Sequence, residues 1–193
     1  MALITRGAHR VPAQGTAPSA TAEATRTTTS TGAVVARYTA AIARLSLGWV
    51  FLWAFLDKTF GLGYATESKN AWIDGGSPTT GFLKFAATGP FKDFYNDIAG
   101  DTWADWLFMV GLAGIGVALM AGITMRIAAA TGALLLVLMW TAVLHPANNP
   151  FMDDHIVYAL VLVLLAAVGA GKTLGVGTFW EKLPVVKRFP ILK

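Results

Sequence analysis

Length, composition and charge indicate a membrane protein with a single folded domain. The chain has 193 residues, of which 55% are hydrophobic and 13% are charged, against roughly 25% charged in an ordinary soluble domain. The absence of cysteine excludes disulfides, iron–sulfur clusters, thiolate zinc sites and cysteine nucleophiles. The net charge of +4 does not indicate nucleic-acid binding, because the basic residues flank apolar runs instead of clustering on a polar face.

Residues 1–36 are rich in threonine, alanine and glycine and carry almost no large apolar side chain after Val11. Such a segment cannot form a core, so we predict a disordered cytoplasmic tail over 1–36. It has several arginines and one acid, Glu23, but lacks the early apolar stretch of a cleavable signal peptide. An organelle transit peptide is the open alternative, although no amphipathic period accompanies it.

Four apolar runs then predict an all-α membrane protein, a four-transmembrane-helix bundle over residues 37–175. The runs cover approximately residues 38–56, 103–123, 127–144 and 156–170. A helix needs about 20 apolar residues to cross a hydrocarbon layer, and the fourth run is the shortest of the set. No alternation typical of a β-barrel accompanies these runs.

The distribution of charge predicts that both termini lie in the cytoplasm. With the N-terminus inside, the inner segments hold eleven basic residues against Glu23 and Glu181, whereas the outer loops hold four lysines and nine acids. Short loops rich in Lys and Arg stay on the cytoplasmic side. Residues 176–193 combine aromatic and basic side chains, which is typical of an interfacial basic cytoplasmic tail.

The connection between the first two runs, residues 57–102, is too long for a simple connector, so we expect a structured outer loop. Its aromatic side chains could lie on the outer membrane face as short helices broken at Gly89 and Pro90. The loop is interpreted either as a lid over the bundle or as an entrance for a substrate or a quinone.

Small residues recur four apart at Gly114, Ala118 and Gly122, and this stripe would allow another helix to approach closely. The stripe predicts close packing inside the bundle. It leaves open whether the chain also forms a homo-oligomer.

Arg44 lies about two turns inside the first run, where a charge costs on the order of 3 kcal/mol. Two interpretations are equally favoured. The side chain either extends to the inner headgroups or forms a buried ion pair or anion contact.

A second set of polar residues is predicted at the outer ends of the spans. Asp57 and Lys58 end the first run, while Asp154 and His155 open the fourth after His145. In an up-and-down bundle these groups would surround one outer mouth. Histidine titrates near neutrality, and a neighbouring carboxylate can orient its ring, so the cluster is suited to the proton transfer that quinone reduction requires.

Simpler functions for the same residues stay open. Asp153 and Asp154 precede a helix N-terminus, where carboxylates are stabilising through capping alone. Metal binding by Asp153, Asp154 and His155 is chemically reasonable but underdetermined, and a b-type haem between His145 and His155 is disfavoured by their position near a loop.

Three segments carry a resemblance to the DoxX/DoxD family of small four-helix membrane proteins of bacteria and archaea. They are the first span with Arg44 and Gly48, ending in Asp57 and Lys58; the loop SPTTGFLKFAATGP; and the sequence NPFMDDHIVYAL that opens the last run. The resemblance covers roughly residues 38–175, and the loop and last-run patterns are similar to the DoxD branch in particular.

The resemblance implies the large membrane subunit of a thiosulfate:quinone oxidoreductase, which couples oxidation of thiosulfate to tetrathionate with reduction of a membrane quinone. It implies a bacterial plasma-membrane location, a smaller partner subunit, and a lipid bilayer and quinone as further partners. No protein-bound cofactor, metal or nucleic acid is expected. The alternative is a non-catalytic membrane scaffold or accessory protein for a redox partner.

On the enzyme hypothesis, the candidate catalytic residues are His155, Asp154 and Asp57, and the candidate substrate-binding residues are Lys58 and Arg44. His155 would pass protons to the quinone, oriented by Asp154 or Asp57. Lys58 and Arg44 would attract the anionic substrate.

Overall fold

The computed structural model describes residues 30–193, and every regular element in that range is helical. The α-helices in chain order are α1 (Thr31–Phe60), α2 (Thr80–Phe85), α3 (Lys92–Asp97), α4 (Thr102–Ala121), α5 (Met125–Ala142), α6 (Asp154–Ala167), α7 (Gly177–Trp180) and α8 (Pro184–Arg188). Short 3-10 turns connect several of them. The predicted all-α class is confirmed for these residues.

Three of the helices, α1, α4 and α5, are long and apolar enough to cross a membrane. The lengths and compositions of these helices are consistent with a helical membrane protein. Helix α6 is also apolar but has only 14 residues. At about 1.5 Å per residue it is roughly 21 Å long, shorter than a hydrocarbon layer of about 30 Å.

Helix α1 begins earlier than the sequence predicts. Ser30 caps it, because its Oγ accepts a hydrogen bond from the backbone N–H of Ala33 at 3.2 Å. Alanine and valine then continue the helix, so the predicted disordered tail is wrong for residues 31–36. The rest of that prediction falls on residues 1–29, which lie outside the described range.

The long helices alternate in direction and pack in two close pairs, α1 with α4 and α5 with α6. Large apolar side chains from all four meet in one core, with Phe51 from α1, Met109 and Leu119 from α4, Leu136 from α5 and Leu162 from α6. Helices α4 and α5 contact each other less than they contact their closest partners. This arrangement leaves space between α4 and α5 on the outside of the bundle.

Glycines make the closest approach between α1 and α4. A Cβ atom on Gly116 would lie 2.8 Å from the backbone nitrogen of Leu52, and one on Gly48 would lie 3.0 Å from Met120 N. The predicted stripe is correct only in part. A Cβ atom on Gly114 would meet no atom within 4 Å, whereas Gly122 ends α4 against Gly171.

The connections define two ends of the bundle. At the loop end, the segment between α1 and α4 lies against the end of α5: Thr88 donates its N–H to Ala142 O at 2.8 Å, and Tyr95 Oη lies 2.6 Å from Thr141 Oγ1. The segment contains two short helices, α2 and α3, separated by a 3-10 turn at Gly89–Phe91. The predicted break at Gly89 and Pro90 is confirmed.

At the opposite end, which we call the basic end, the C-terminal segment folds back against the start of α5. Arg126 donates its backbone N–H to Lys193 O at 3.0 Å, and Trp180 Nε1 donates to Leu192 O at 2.6 Å. Val186 of α8 is fully buried. The tail thus packs on the bundle through its own short helices.

Candidate functional site

Arg44 belongs to α1 and is fully buried, and its guanidinium binds backbone carbonyl groups. Its Nη1 donates to the carbonyls of Leu119 and Met120 at the end of α4, and its Nη2 donates to those of Thr173 and Leu174 after α6, the last at 2.8 Å. The final carbonyls of a helix have no intrahelical partner, so the guanidinium satisfies them. Among the described residues Arg44 forms no ion pair.

The guanidinium does not extend out of the bundle to the headgroups, and no described acid forms an ion pair with it. Its hydrogen-bond partners in the described residues are neutral carbonyls. About 20 Å of helix also separates it from Asp57 along α1. Arg44 therefore holds the basic end together, far from the other candidate site residues.

Asp57 is buried near the end of α1, where its carboxylate accepts two backbone hydrogen bonds. Tyr64 N–H donates to Oδ1 at 3.2 Å, and Ala65 N–H donates to Oδ2 at 2.9 Å. These bonds fix the chain where it turns away from α1 at Gly61, whose φ is 60°. The neighbouring Lys58 is half-buried and forms no ion pair with any described residue.

Asp153 and His155 form a hydrogen-bonded pair at the start of α6. Oδ2 of Asp153 lies 2.7 Å from Nδ1 of His155, and Oδ1 of Asp153 accepts from the Ile156 N–H at 3.4 Å. The carboxylate therefore caps α6 and orients the imidazole at once. Asp154 is mostly exposed, and its carboxylate lies 3.7 Å from the same ring nitrogen.

The structure brings only some members of the predicted outer cluster into contact. Its members do lie at the loop end, but no hydrogen bond or ion pair among residues 30–193 joins Asp57 or Lys58 to Asp154 or His155. The carboxylate closest to the His155 ring belongs to Asp153, not to the predicted Asp154 or Asp57. His145 is exposed in the connection before α6.

One ring nitrogen of His155 has no hydrogen-bond partner among the described residues. Within the described part of the chain Nδ1 has the Asp153 contact, and no protein group is bonded to Nε2. A carboxylate on one nitrogen favours the tautomer with its proton on that nitrogen and leaves the other free to accept and release a proton. The pair is half-buried, so a substrate could still reach the ring.

Ligand atoms of Asp153, Asp154 and His155 lie within 4.8 Å of one another. The Asp153 carboxylate also caps α6 and contacts His155, whereas the Asp154 carboxylate is mostly exposed.

Asp105 is a buried carboxylate that the sequence interpretation did not select. Its Oδ1 accepts hydrogen bonds from Ser77 Oγ at 2.9 Å and from Thr79 Oγ1 at 2.6 Å, and Thr79 N–H donates to it at 3.1 Å. These bonds attach the loop before α2 to the first turn of α4. The signal in the sequence was an acid inside an apolar run, since its partners Ser77 and Thr79 lie 28 and 26 residues away.

An apolar groove of about 620 Å³ runs along the outside of the bundle between α4 and α5. We call it the α4–α5 groove. It extends from Phe82 and Tyr95 at the loop end, past Gly111 and Gly114, to Ile127 near the basic end. Aromatic side chains of the α2 and α3 segment line its loop end, which places part of the predicted aromatic set at its opening.

The exposed pair of Glu67 and Lys69 is the one ion pair in the segment that follows α1 in the described residues, with Nζ and Oε2 2.7 Å apart. The hydrogen bond from Lys69 and its charge lower the pKa of Glu67, and the reciprocal interaction raises the pKa of Lys69. Because both side chains are exposed, this pair does not create a reactive group.

Comparison with known proteins finds no matching family model, no similar curated protein and no similar solved structure. The functional conclusion therefore depends on the residues and the geometry described above.

Proposed function

We propose that this chain is the membrane subunit of a quinone-linked oxidoreductase that oxidises thiosulfate to tetrathionate. The observation that carries the proposal is the α4–α5 groove. The resemblance of three sequence segments to the DoxX/DoxD family supplies the reaction.

The groove has the properties of a site for the apolar tail of a membrane quinone. Its volume lies within the roughly 300–1,000 Å³ typical of small-molecule sites, and its lining is almost wholly apolar. It follows two helices long enough to cross the bilayer, so a ligand can enter sideways from the lipid. Gly114 keeps the middle of the groove open because it has no side chain.

Protons for the reduction come from the Asp153 and His155 pair in this proposal. Two thiosulfate ions lose one electron each as a sulfur–sulfur bond joins them in tetrathionate. The quinone accepts these two electrons and two protons and becomes a quinol. His155 is bonded to Asp153 through Nδ1 and has no protein partner on Nε2 among the described residues, which suits transfer of a proton through the ring.

Lys58 is the proposed contact for the anionic substrate. It is half-buried at the loop end and lacks an ion-pair partner among residues 30–193, so its charge is available. The nine acids of the predicted outer loops repel an anion at long range. Lys58 must therefore act within about 8 Å, the screening length at physiological salt.

The proposed location is the bacterial plasma membrane, with four spans and both termini in the cytoplasm. Supporting this orientation, the loop end holds the acidic connections and the basic end holds Arg126, Lys172 and the C-terminal segment. The 3-10 turn Ala170–Lys172 follows α6 after Gly169, and the proposed fourth span comprises α6 together with this turn. A smaller subunit and a second copy of the chain are proposed partners.

The test is thiosulfate-dependent quinone reduction in membranes that contain the wild-type chain together with a candidate small subunit. We expect His155→Ala and Lys58→Ala to abolish most of the activity at matched expression. His145→Ala and Lys84→Ala are the matched controls, since both residues are exposed at the same end. Equal activity in wild-type and empty membranes would exclude the proposed reaction.

A non-catalytic scaffold for a redox partner is the second candidate. It is favoured because backbone groups bind both terminal guanidinium nitrogens of Arg44 and both carboxylate oxygens of Asp57, two of the predicted site residues. On this alternative the wild-type chain shows no quinone reduction, yet a redox enzyme is isolated with it and is lost from membranes when the chain is deleted.

A further inference from the structure

A polar cavity of about 270 Å³ lies at the basic end, at the opposite end of the bundle from Lys58 and His155. It lies between the turn that joins α4 to α5, the end of α6 and the C-terminal segment. Gly122, Gly169, Gly171 and Gly177 contribute to its wall, so backbone is close to the cavity on several sides.

Three basic residues contribute to the lining of this cavity. Arg126 and Lys172 line it, Lys193 adds a third cation, and Glu181 is the acid among the lining residues. Glu181 Oε2 lies 3.1 Å from Lys172 Nζ. Arg126 donates from Nη1 to Pro190 O at 3.1 Å, which leaves the other N–H groups of its guanidinium free among the described residues. A guanidinium fork and an ammonium group together are suited to a phosphate.

The cavity lies at the basic end of the bundle, beside the ends of two apolar helices. Helix α5 starts beside it and α6 ends beside it. Apolar side chains close to it in sequence are largely exposed, including Val168 at 57% and Phe179 at 69%. Above them, Val163 and Leu164 of α6 are more than half exposed and offer an apolar surface for acyl chains.

We infer that this cavity binds the headgroup phosphate of an anionic phospholipid, with Arg126 and Lys172 as the phosphate contacts. Phosphate is the shared chemistry of a lipid headgroup and of a soluble phosphate compound. The neighbouring exposed apolar surface favours the lipid, because a soluble phosphate would gain nothing from it.

The experiment uses the full chain purified in a neutral detergent, with ligand binding measured by native mass spectrometry. The probes are dihexanoyl-phosphatidylglycerol, dihexanoyl-phosphatidylcholine and inorganic phosphate. We expect phosphatidylglycerol to bind more tightly than phosphatidylcholine and inorganic phosphate not to displace it. Equal binding of both lipids, or displacement by inorganic phosphate at equal concentration, overturns the inference.

Charge variants locate the site. Arg126→Gln combined with Lys172→Gln should weaken phosphatidylglycerol binding about tenfold, because each basic residue near a membrane surface contributes to anionic-lipid affinity. Lys187→Gln with Arg188→Gln removes the same charge from exposed positions of the same end that do not line the cavity. An equal loss in this control shows diffuse attraction and overturns the inference.

Glu181→Gln provides a test that does not depend on the double variant being folded. The substitution removes the acid beside Lys172 while leaving the cations in place. We expect tighter phosphatidylglycerol binding, about threefold or more, because the ammonium loses a competing partner. Unchanged or weaker binding in the folded variant overturns the inference.

Discussion

The carboxylate of Asp153 contacts the ring of His155 at 2.7 Å while its second oxygen caps helix α6. One oxygen of Asp153 therefore caps the helix, and the other orients the imidazole of His155. A substitution can separate the two, because a hydroxyl can cap a helix but cannot act as a carboxylate partner for the imidazole.

We expect Asp153→Ser to keep the thermal stability of the wild type to within about 0.5 kcal/mol, since serine is as good a cap as aspartate. Quinone reduction should fall strongly, because the ring of His155 loses its partner. Asp153→Ala should lose activity and also about 1 kcal/mol of stability. Unfolding followed by circular dichroism and the activity assay report the two effects separately. Full activity in Asp153→Ser contradicts the orienting role.

Arg44→Met should destabilise the folded chain by at least about 3 kcal/mol, because it leaves carbonyls of α4 and of the segment after α6 without their donor. Arg44→Lys should recover part of this loss, since an ammonium lacks the planar fork. Unfolding in detergent measures both. Arg37→Met, an exposed position of the same helix, is the control and should change stability little. A small effect of Arg44→Met on the free energy of unfolding would contradict the structural role of its hydrogen bonds to these carbonyls.

Asp105→Ala should detach the loop before α2 from α4. The hydroxyl and N–H groups of Ser77 and Thr79 lose their common acceptor. Limited trypsin digestion at Lys84 should accelerate by about tenfold, in keeping with a buried hydrogen-bond loss of about 1–3 kcal/mol. Asp93→Ala removes an exposed acid from α3 and should leave the cleavage rate unchanged. Equal protection of Lys84 in Asp105→Ala and wild type would exclude this anchoring function.

Substitution by alanine at two glycines of helix α4 should have different effects on the stability of the protein. Gly116→Ala forces a methyl group to within 2.8 Å of the Leu52 backbone, so we expect a loss of at least about 2 kcal/mol. Gly114→Ala meets no atom within 4 Å and should be neutral or stabilising by up to about 1 kcal/mol. Thermal unfolding of both variants measures the difference. Similar values for the two variants contradict the close approach of α1 and α4 at Gly116.

Gly114→Leu tests the α4–α5 groove itself. The added side chain would occupy space that is open in the wild type, so quinone affinity should fall about tenfold while stability stays close to that of Gly114→Ala. Quinone titration of the purified chain gives the affinity. Unchanged affinity in a folded variant would place quinone binding elsewhere.

Hydrophobic run length and loop composition are sufficient to predict the helical class, the positions of the long helices and the two short helices around Gly89. These features follow from local rules of length and chain breaking. The start of α1 is missed because the Ser30 cap lies inside a threonine-rich segment that has the composition of a disordered tail. The end of α6 is predicted three residues too late, because apolar composition continues past Ala167, where the helix ends before Gly169 with its φ of 67°.

The roles of the polar residues are harder to predict, because they depend on pairs far apart in sequence. Nothing local to Arg44 indicates that its partners are carbonyls beyond residue 118, and nothing local to Asp105 indicates Thr79. The contact of Asp153 with His155 is the exception. It joins residues two apart in sequence, yet the sequence interpretation assigns the orientation of the ring to Asp154 or Asp57.

The hydrogen bonds of Arg44 join segments of the chain that are synthesised at different times. Two of its carbonyl partners, Thr173 and Leu174, are 129 and 130 residues later in the chain, so they emerge from the ribosome long after α1 is ready to enter the membrane. Until they arrive, α1 carries a charge that its lipid surroundings disfavour. We therefore expect α1 to complete its packing only after residue 174 has been made, because a chain truncated before residue 173 lacks two of the four carbonyl partners of Arg44.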